Sequence, residues 1–137
     1  MNTMLARHLA WFAALSPASL AQIDQVYAAD ARFRDPFHAL QGREAIQAVY
    51  ARMFRDLTQP RFVIGEVVQQ GGRAFVSWDF HFALHGRQLQ IHGGTLFRLD
   101  AAGLICEHID YWDAAEGVYE QLPVLGWLLR RIKRRMA

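Results

Sequence analysis

Hydrophobic and polar residues follow two different periods along this chain. In the first part, apolar residues recur every three or four positions, which predicts helices over 5–15 and 42–57. After Pro60 the period changes to two, and connectors rich in Gly, Gln, His and Asp interrupt the pattern. This change predicts strands over 61–69, 73–84, 87–99 and 104–112.

Between the two helical stripes the chain contains a helix start and a strand stop. Ser16-Pro17 is typical of a helix start, because a hydroxyl caps the first turn and proline fits its first position. We therefore predict a second helix that reaches Tyr27. A short strand over 31–35 follows and is stopped by Pro36.

The order of elements is an α+β pattern, with helices and a short strand before a long antiparallel meander. Hydrophobic residues make up 53% and aromatic residues 12% of the chain, which suits both a core and a small apolar pocket. We predict one domain over 1–122, with N-terminal helices packed on a curved antiparallel sheet that encloses a pocket. An apolar-basic helix over 123–137 extends it.

Charge is concentrated at the C-terminus. The segment 130–135 holds five of the fifteen basic residues, so the rest of the chain is mildly acidic. This distribution argues against a nucleic-acid partner. For the C-terminal helix we favour packing on the domain or on a partner subunit over contact with an anionic membrane surface. Without a signal-like start or a spanning apolar run, we expect a soluble cytoplasmic protein.

Metal and cofactor motifs are not apparent in the sequence. Cys106 is the single cysteine, which excludes an intrachain disulfide and a cysteine metal cluster. His81, His92 and Asp79 fall together on the polar face of the sheet, where solvent or a dimer interface is favoured over a metal. We expect neither a metal nor a cofactor.

The connector His85-Gly86 predicts the register of the central hairpin. A two-residue loop places Leu84 opposite Arg87 and Trp78 opposite Gly93. Apolar residues then collect on one face of the sheet and polar residues on the other. The apolar face contains Trp78, Phe80, Phe82, Leu89, Ile91 and Thr95.

The last strand adds two titratable groups to that face. If Leu99 opposes Leu104, Thr95 opposes His108, and His108, Asp110 and Trp112 turn inward. Titratable groups on an apolar face indicate either a catalytic site or a hydrogen-bonded pair that orders the sheet. A register changed by one residue turns Glu107 and Tyr111 inward instead.

Three strings carry a family resemblance: 29–37 around Asp35-Pro36, 42–46, and 107–113 with its Asp-Tyr-Trp-Asp. From Met4 to Glu120 the chain resembles the nuclear-transport-factor-2-like superfamily, in its SnoaL-like and ketosteroid-isomerase-related branch. The resemblance implies a cone-shaped domain with an open-ended pocket, and a homodimer formed through the sheet. It does not fix a reaction, since this fold hosts enzymes and non-enzymes.

The resemblance also implies roles for individual residues. Asp35 matches the general base of ketosteroid isomerases, but Trp11 and Thr95 stand where those enzymes have their acidic oxyanion pair. A standard ketosteroid isomerase is therefore not expected. Asp110 is similar to a catalytic aspartate of limonene-type epoxide hydrolases and to the acid/base carboxylate of SnoaL-type cyclases.

Two hypotheses of different classes follow. In the first, the pocket takes a small apolar or aromatic molecule and acts as a cofactor-free isomerase, cyclase or hydrolase through Asp35, Asp110 and His108. In the second, it is a non-catalytic ligand-binding or dimerisation module, and Asp35 is a turn carboxylate. The predicted ligand-binding residues are Trp11, Tyr50, Phe54, Trp78, Phe80, Ile91, Thr95 and Trp112.

Overall fold

The computed structural model describes residues 2–113 and residue 134. Its elements are α1 (Thr3–Ala13), a 3₁₀ helix (Ser19–Gln25), β1 (Tyr27–Arg34), β2 (Ala39–Gln41), α2 (Arg43–Asp56), β3 (Thr58–Gln70), β4 (Arg73–Leu84), β5 (Arg87–Leu99) and β6 (Ile105–Trp112). The predicted α+β class is confirmed. Apart from Arg134, the predicted helix over 123–137 lies outside the described residues, and so does its boundary with the domain.

Helix α1 forms where the sequence supplies both a cap and an apolar stripe. The side-chain oxygen of Asn2 accepts hydrogen bonds from the backbone N–H groups of Met4 (2.7 Å) and Leu5 (3.3 Å). Leu5, Leu9 and Phe12 are buried on one face of the helix. The helix therefore covers the sheet with its apolar stripe.

The strands form one curved, open, six-stranded sheet in the order β2-β1-β6-β5-β4-β3. All neighbouring pairs are antiparallel except β1 and β6, which run parallel. The sequence predicted a purely antiparallel sheet, because the meander gives no sign that β1 returns beside the last strand. Below, the inner face is the one that packs against α1 and α2, and the outer face is its opposite.

The segment 16–27 differs from the prediction. In place of the second helix there is a short 3₁₀ helix, and Tyr27 is the first residue of β1 rather than a helical residue. The cause is strand pairing: the N–H of Ile105 donates to the carbonyl of Val26 (2.9 Å), and Tyr27 pairs with Ile105. Tyr27 is thereby drawn into the interior, where it is fully buried.

The other differences fall on the two edge strands. Strand β3 begins at Thr58, three residues before the predicted start, and passes through Pro60. Its pairing with β4 shifts between Thr58 and Arg61, and an edge strand tolerates proline at such a bulge. Strand β2 was not predicted, since three residues are too few to show an alternating pattern.

The central hairpin has the predicted register. Leu84 pairs with Arg87, and Trp78 pairs with Gly93. His85 (φ 51°) and Gly86 (φ 79°) both adopt positive φ, as a type I′ turn requires. The register of the apolar face of β4 and β5 is therefore confirmed.

Buried apolar side chains form two clusters. The larger one joins α1, the 3₁₀ helix, β1 and α2 to the sheet. The smaller one lies on β4 and β5 and consists of Trp78, Phe80, Phe82, Leu89 and Ile91. No helix among residues 2–113 is long and apolar enough to cross a membrane.

Candidate functional site

Strand β6 places His108 and Asp110 on the inner face. Asp110 pairs with Thr95 and His108 with Phe97, whereas the predicted register had Thr95 opposite His108. The predicted register is thus wrong by two positions. Side chains alternate with a period of two, so the face of both titratable groups is nevertheless as predicted.

Two added residues explain the shift. The N–H of Asp100 donates to the carbonyl of Leu104 (2.8 Å), which makes the turn one residue longer than predicted. Cys106 is the second, because it forms a bulge where the pairing with β5 becomes irregular. On the other face, Glu107 pairs with an arginine and Tyr111 is exposed, so the one-residue alternative is wrong.

Asp110 accepts two hydrogen bonds on the same carboxylate oxygen. The Thr95 hydroxyl donates to Oδ1 (2.5 Å), and Nε2 of His108 lies 2.7 Å from the same atom. The indole N–H of Trp78 donates to Thr95 Oγ1 (2.8 Å), which leaves the single Thr95 hydrogen for Asp110. Among residues 2–113, no donor reaches Oδ2 of Asp110.

The other ring nitrogen of His108 contacts a buried phenol, which in turn contacts a second one. Nδ1 lies 2.7 Å from the Tyr27 hydroxyl, which lies 3.0 Å from the Tyr50 hydroxyl. Burial raises the pKa of both phenols, with the negative charge of Asp110 as a further cause. Both hydroxyls therefore keep their protons. The inner network consists of Trp78, Thr95, Asp110, His108, Tyr27 and Tyr50.

A small cavity borders the inner network. Its volume is about 20 Å³, enough for about one water molecule, whereas small-molecule sites usually measure about 300–1,000 Å³. It is lined by Leu9, Phe12, Tyr50, Phe62, Ile64, Val76, Trp78, Thr95, Phe97, His108 and Asp110. Of the apolar wall that the sequence predicts on β4 and β5, Trp78 lines this cavity, whereas Phe80 and Ile91 do not.

A larger, open cleft reaches Asp110 from the other side. The pairing of β1 with β6 ends at Arg34 and Ile109, and beyond it the two strands separate at Pro36. The cleft there has a volume of about 520 Å³. It is lined by Arg34, Asp35, Pro36, Ile109, Asp110, Tyr111 and Trp112. Asp110 therefore borders both the cavity and the cleft.

Asp35 lies at the rim of this cleft, in the turn after β1. Its Oδ1 accepts hydrogen bonds from the backbone N–H of Phe37 (2.8 Å) and of His38 (2.7 Å). The ring nitrogen Nδ1 of His38 lies 2.9 Å from the same oxygen. The structure thus brings Asp35 and Asp110 to one cleft, but Asp35 has the donors of a turn carboxylate.

The predicted ligand-binding residues fall into three places. Tyr50, Trp78 and Thr95 line the cavity, and Trp112 lines the cleft. The others belong to neither: Phe54 packs against the larger cluster, and Phe80 and Ile91 belong to the smaller one.

Trp11 lines neither the cavity nor the cleft. Its indole N–H donates to the carbonyl of Ser19 (3.0 Å), so it holds α1 to the 3₁₀ helix. It packs edge-on against Tyr27 and Tyr50, behind the cavity. An indole has only one N–H, so Trp11 cannot also donate to a ligand.

Sequence reasoning missed Tyr27 and several apolar cavity residues. Tyr27 was assigned to a helix, and the irregular start of β1 gives no period from which to find it. The apolar residues that were missed come from α1, β3, β4 and β5: Leu9, Phe12, Phe62, Ile64, Val76 and Phe97. The sequence feature that these residues share is their position in the period of their helix or strand, which turns each side chain to the inner face.

On the outer face, Asp79 and His92 form an exposed pair. Nδ1 of His92 lies 2.8 Å from Asp79 Oδ1, and this hydrogen bond is the main cause that lowers the pKa of the Asp79 carboxyl. In the described part of the chain, no three His, Cys, Asp or Glu residues are grouped as a metal site would need.

Known proteins resemble this chain in sequence profile and in fold. The profile of the SnoaL-like domain matches residues 8–108. No match was found among the curated proteins.

Solved structures share the fold at low identity. A hypothetical protein with a ketosteroid isomerase-like fold from Catenulispora acidiphila DSM 44928, in complex with trimethylamine, has a TM-score of 0.74 at 20% identity, over 90% of this chain and 95% of that one. An NTF2-like protein of unknown function from Burkholderia pseudomallei K96243 has a TM-score of 0.74 at 18% identity, over 85% and 95%. An LEH-like epoxide hydrolase of M. tuberculosis has a TM-score of 0.71 at 18% identity, over 85% and 87%.

Proposed function

The chain belongs to the SnoaL-like domain family, and on that basis we propose that it is an acid–base enzyme acting on a small apolar molecule, with Asp110 as the base. One observation carries the proposal. Oδ1 of Asp110 is anchored by two donors, while Oδ2 has none among residues 2–113, and Asp110 lines both the cavity and the cleft. A fixed carboxylate with one unengaged oxygen is what proton abstraction needs.

Of the two candidate carboxylates, Asp110 is the better base. Three donors converge on Oδ1 of Asp35, and His38 Nδ1 also lies 3.1 Å from its Oδ2. A proton taken up by Asp35 would compete with these bonds and loosen the turn. We assign Asp35 the role of shaping the rim of the cleft.

The substrate reaches Asp110 through the cleft. The cavity has room for about one water molecule, so it cannot hold a drug-sized ligand in this conformation. The cleft has the volume of a small-molecule site, and Trp112 gives it an aromatic surface. The apolar part of a substrate would rest on Trp112 while its acidic hydrogen faces Oδ2.

Three reactions fit such a base. In an isomerisation, Oδ2 takes a proton from one carbon and returns it to another. In a cyclisation, the carbanion formed by the same abstraction attacks a carbonyl carbon, and the carbonyl oxygen takes up a proton as it becomes a hydroxyl. In an addition of water to an epoxide, Oδ2 takes a proton from water, the water oxygen bonds to a ring carbon as the C–O bond of that carbon breaks, and the released alkoxide takes up a proton from solvent. His108 and Thr95 hold the carboxylate in place for all three.

A substrate panel tests the proposal. It contains a β,γ-unsaturated ketone, an aromatic 1,3-dicarbonyl ester and a small epoxide, one probe for each reaction. The wild type and Asp24→Asn, which removes an exposed carboxylate, should turn over the same probe at equal rates. Asp110→Asn should lose about 10²–10⁴-fold in rate. Full activity of Asp110→Asn would contradict the assignment.

The second candidate is a ligand-binding module without chemistry, and one observation favours it. The polar donors that line the cavity are engaged within the protein, since Trp78 donates to Thr95 and Thr95 donates to Asp110. No side chain of the described cavity is therefore left to stabilise an oxyanion. A ligand recovered unchanged after long incubation with the protein would favour this candidate.

We also propose that the protein forms a homodimer through the outer face of the sheet. Val68, Phe75 and Tyr111 are exposed on that face, and the ring of Phe75 covers Gly94. A row of apolar side chains on a sheet face is typical of an interface. Light scattering should give a dimer for the wild type and a monomer for Phe75→Glu; a monomeric wild type would contradict the proposal.

A further inference from the structure

Tyr27 lies directly behind His108, where the pairing of β1 with β6 is irregular. Tyr27 pairs with Ile105 and Arg32 with Glu107, so five residues along β1 correspond to two along β6. Bulges of this kind redirect side chains and occur next to functional sites. Here the phenol ring stacks on the imidazole, with 5.9 Å between ring centroids and 17° between planes.

The hydrogen bonds of the inner network determine where the protons lie. An ionised Asp110 only accepts, so the hydrogen between it and His108 belongs to Nε2. A neutral imidazole then has a lone pair at Nδ1, and the Tyr27 hydroxyl is the group that reaches it. The oxygen of Tyr27 in turn accepts from Tyr50. Each donor has an acceptor in this arrangement.

We propose that Tyr27 is a positioning residue, which donates to Nδ1 and so holds His108 as a neutral imidazole with its proton on Nε2. The consequence concerns Asp110. A neutral ring orients the carboxylate through one hydrogen bond, whereas an imidazolium would stabilise its charged form and weaken it as a base. Tyr27 therefore keeps Asp110 oriented through His108, and this consequence rests on the proposed function.

Two observations support the role of Tyr27 as a donor. Tyr27 is completely buried, and this burial raises the pKa of its hydroxyl well above the usual value. The proton thus stays on the phenol near neutral pH. Tyr50, which lines the cavity, has its hydroxyl 3.0 Å from that of Tyr27 and is able to donate to it, which leaves the Tyr27 hydrogen for His108.

Nitrogen NMR of the full-length protein tests the proposal without a substrate. In ¹⁵N-labelled wild type at neutral pH, His108 should show one protonated nitrogen, Nε2, and one unprotonated nitrogen, Nδ1. The variant His108→Gln identifies these signals by their loss. A proton on Nδ1, alone or in an imidazolium, would overturn the proposal.

The variant Tyr27→Phe tests the role of the hydroxyl. Its Nδ1 signal should move towards the position of a nitrogen without a hydrogen bond, while Tyr111→Phe, which removes an exposed hydroxyl, should leave it unchanged. An unchanged Nδ1 signal in Tyr27→Phe would refute the role. Loss of packing alone would lower the melting temperature but would not produce this specific shift.

Kinetics separates this proposal from the proposed function. On a probe that the wild type turns over, Tyr27→Phe should lower kcat about tenfold, the value of about one hydrogen bond, and leave KM unchanged. A fall in kcat/KM through KM alone would contradict the positioning role. If the NMR result holds but Asp110→Asn is fully active, the base assignment fails and the placement of Tyr27 stands.

Discussion

The aspartates of two histidine–aspartate pairs line the same cleft, and among residues 2–113 only Asp110 keeps a carboxylate oxygen without a donor. Burial does not separate them, because the side chains of Asp110 and Asp35 are 17% and 12% exposed. The donors do. Asp35 accepts hydrogen bonds from backbone N–H groups of its own turn. Within residues 2–113, Asp110 on strand β6 accepts only from the side chains of Thr95 and His108, both of which bind its Oδ1. A strand thus leaves a carboxylate oxygen available that a turn engages.

The pair Asp79–His92 extends the comparison to the outer face. Its hydrogen bond of 2.8 Å is as short as those of the other two pairs, but its side chains are 38% and 74% exposed. Solvent therefore screens the interaction, and the pair should contribute little to stability. Equal distances between like groups do not imply equal roles.

The largest effect on stability should come from removal of the inner carboxylate. Asp110→Ala leaves the buried donors Thr95 and His108 without an acceptor, and should lower the free energy of unfolding by about 3 kcal/mol. Asp35→Ala should lower the free energy of unfolding by about 1 kcal/mol, because the backbone N–H groups that Asp35 accepts from can form hydrogen bonds with water instead. Urea unfolding of both variants measures the difference. Equal losses would mean that the two pairs are energetically alike.

Thr95→Val tests whether the anchoring of Oδ1 depends on the link to Trp78. Valine keeps the shape but leaves the Trp78 N–H unpaired and removes one donor from Asp110, which should cost about 2 kcal/mol. Thr58→Val on the exposed edge strand is the control and should change stability by less than about 0.5 kcal/mol. If both variants have the same free energy of unfolding, the hydrogen bonds from Trp78 through Thr95 to Asp110 do not stabilise the inner pair.

His8 is a buried histidine without a carboxylate partner in the part of the chain that the structure describes. Its Nε2 lies 2.7 Å from the carbonyl of Gly103, and burial is the main cause that lowers its pKa. Below about pH 6.5 the unfolded chain binds a proton that the folded chain does not, so the free energy of unfolding should fall between pH 7 and 5.5. His8→Gln should flatten this decline, and His85→Gln at the exposed turn should not. An unaltered slope in His8→Gln would assign the decline to another group.

The smallest effect should come from the outer pair. Asp79→Asn should change the free energy of unfolding by less than about 0.5 kcal/mol, since an exposed pair gains little in water. Chemical denaturation against the wild type measures it. A loss as large as that of Asp35→Ala would show that exposure does not rank the three pairs.

The fold could be predicted wherever the pattern was long and periodic. Strands β4 and β5 have their predicted bounds, and the His85-Gly86 turn fixed their register because positive φ at two positions selects one turn type. The 3₁₀ helix, the parallel pairing of β1 with β6 and the three-residue β2 could not be found. They depend on contacts distant in sequence, and short segments carry no period.

The sequence predicted which face of the sheet carries His108 and Asp110, but it predicted neither the register of β6 nor the hydrogen-bond partner Tyr27. The inward phase of β6 placed His108 and Asp110 correctly, because an error of two positions preserves a strand's face. Tyr27 was missed, since the bulge that aims it at His108 is set by pairing with β6. The size of the cavity depends on how aromatic rings from α1, α2, β3, β4 and β5 pack together, and no local sequence pattern determines that packing.

The central claim is that Asp110, and not Asp35, is the base. The most direct test compares kcat/KM of Asp110→Asn and Asp35→Asn on one substrate of the panel, with the same folded state verified for both by circular dichroism. We predict a loss of about 10²–10⁴-fold for Asp110→Asn and less than about tenfold for Asp35→Asn. The reverse order, or two variants as active as the wild type, would contradict the account.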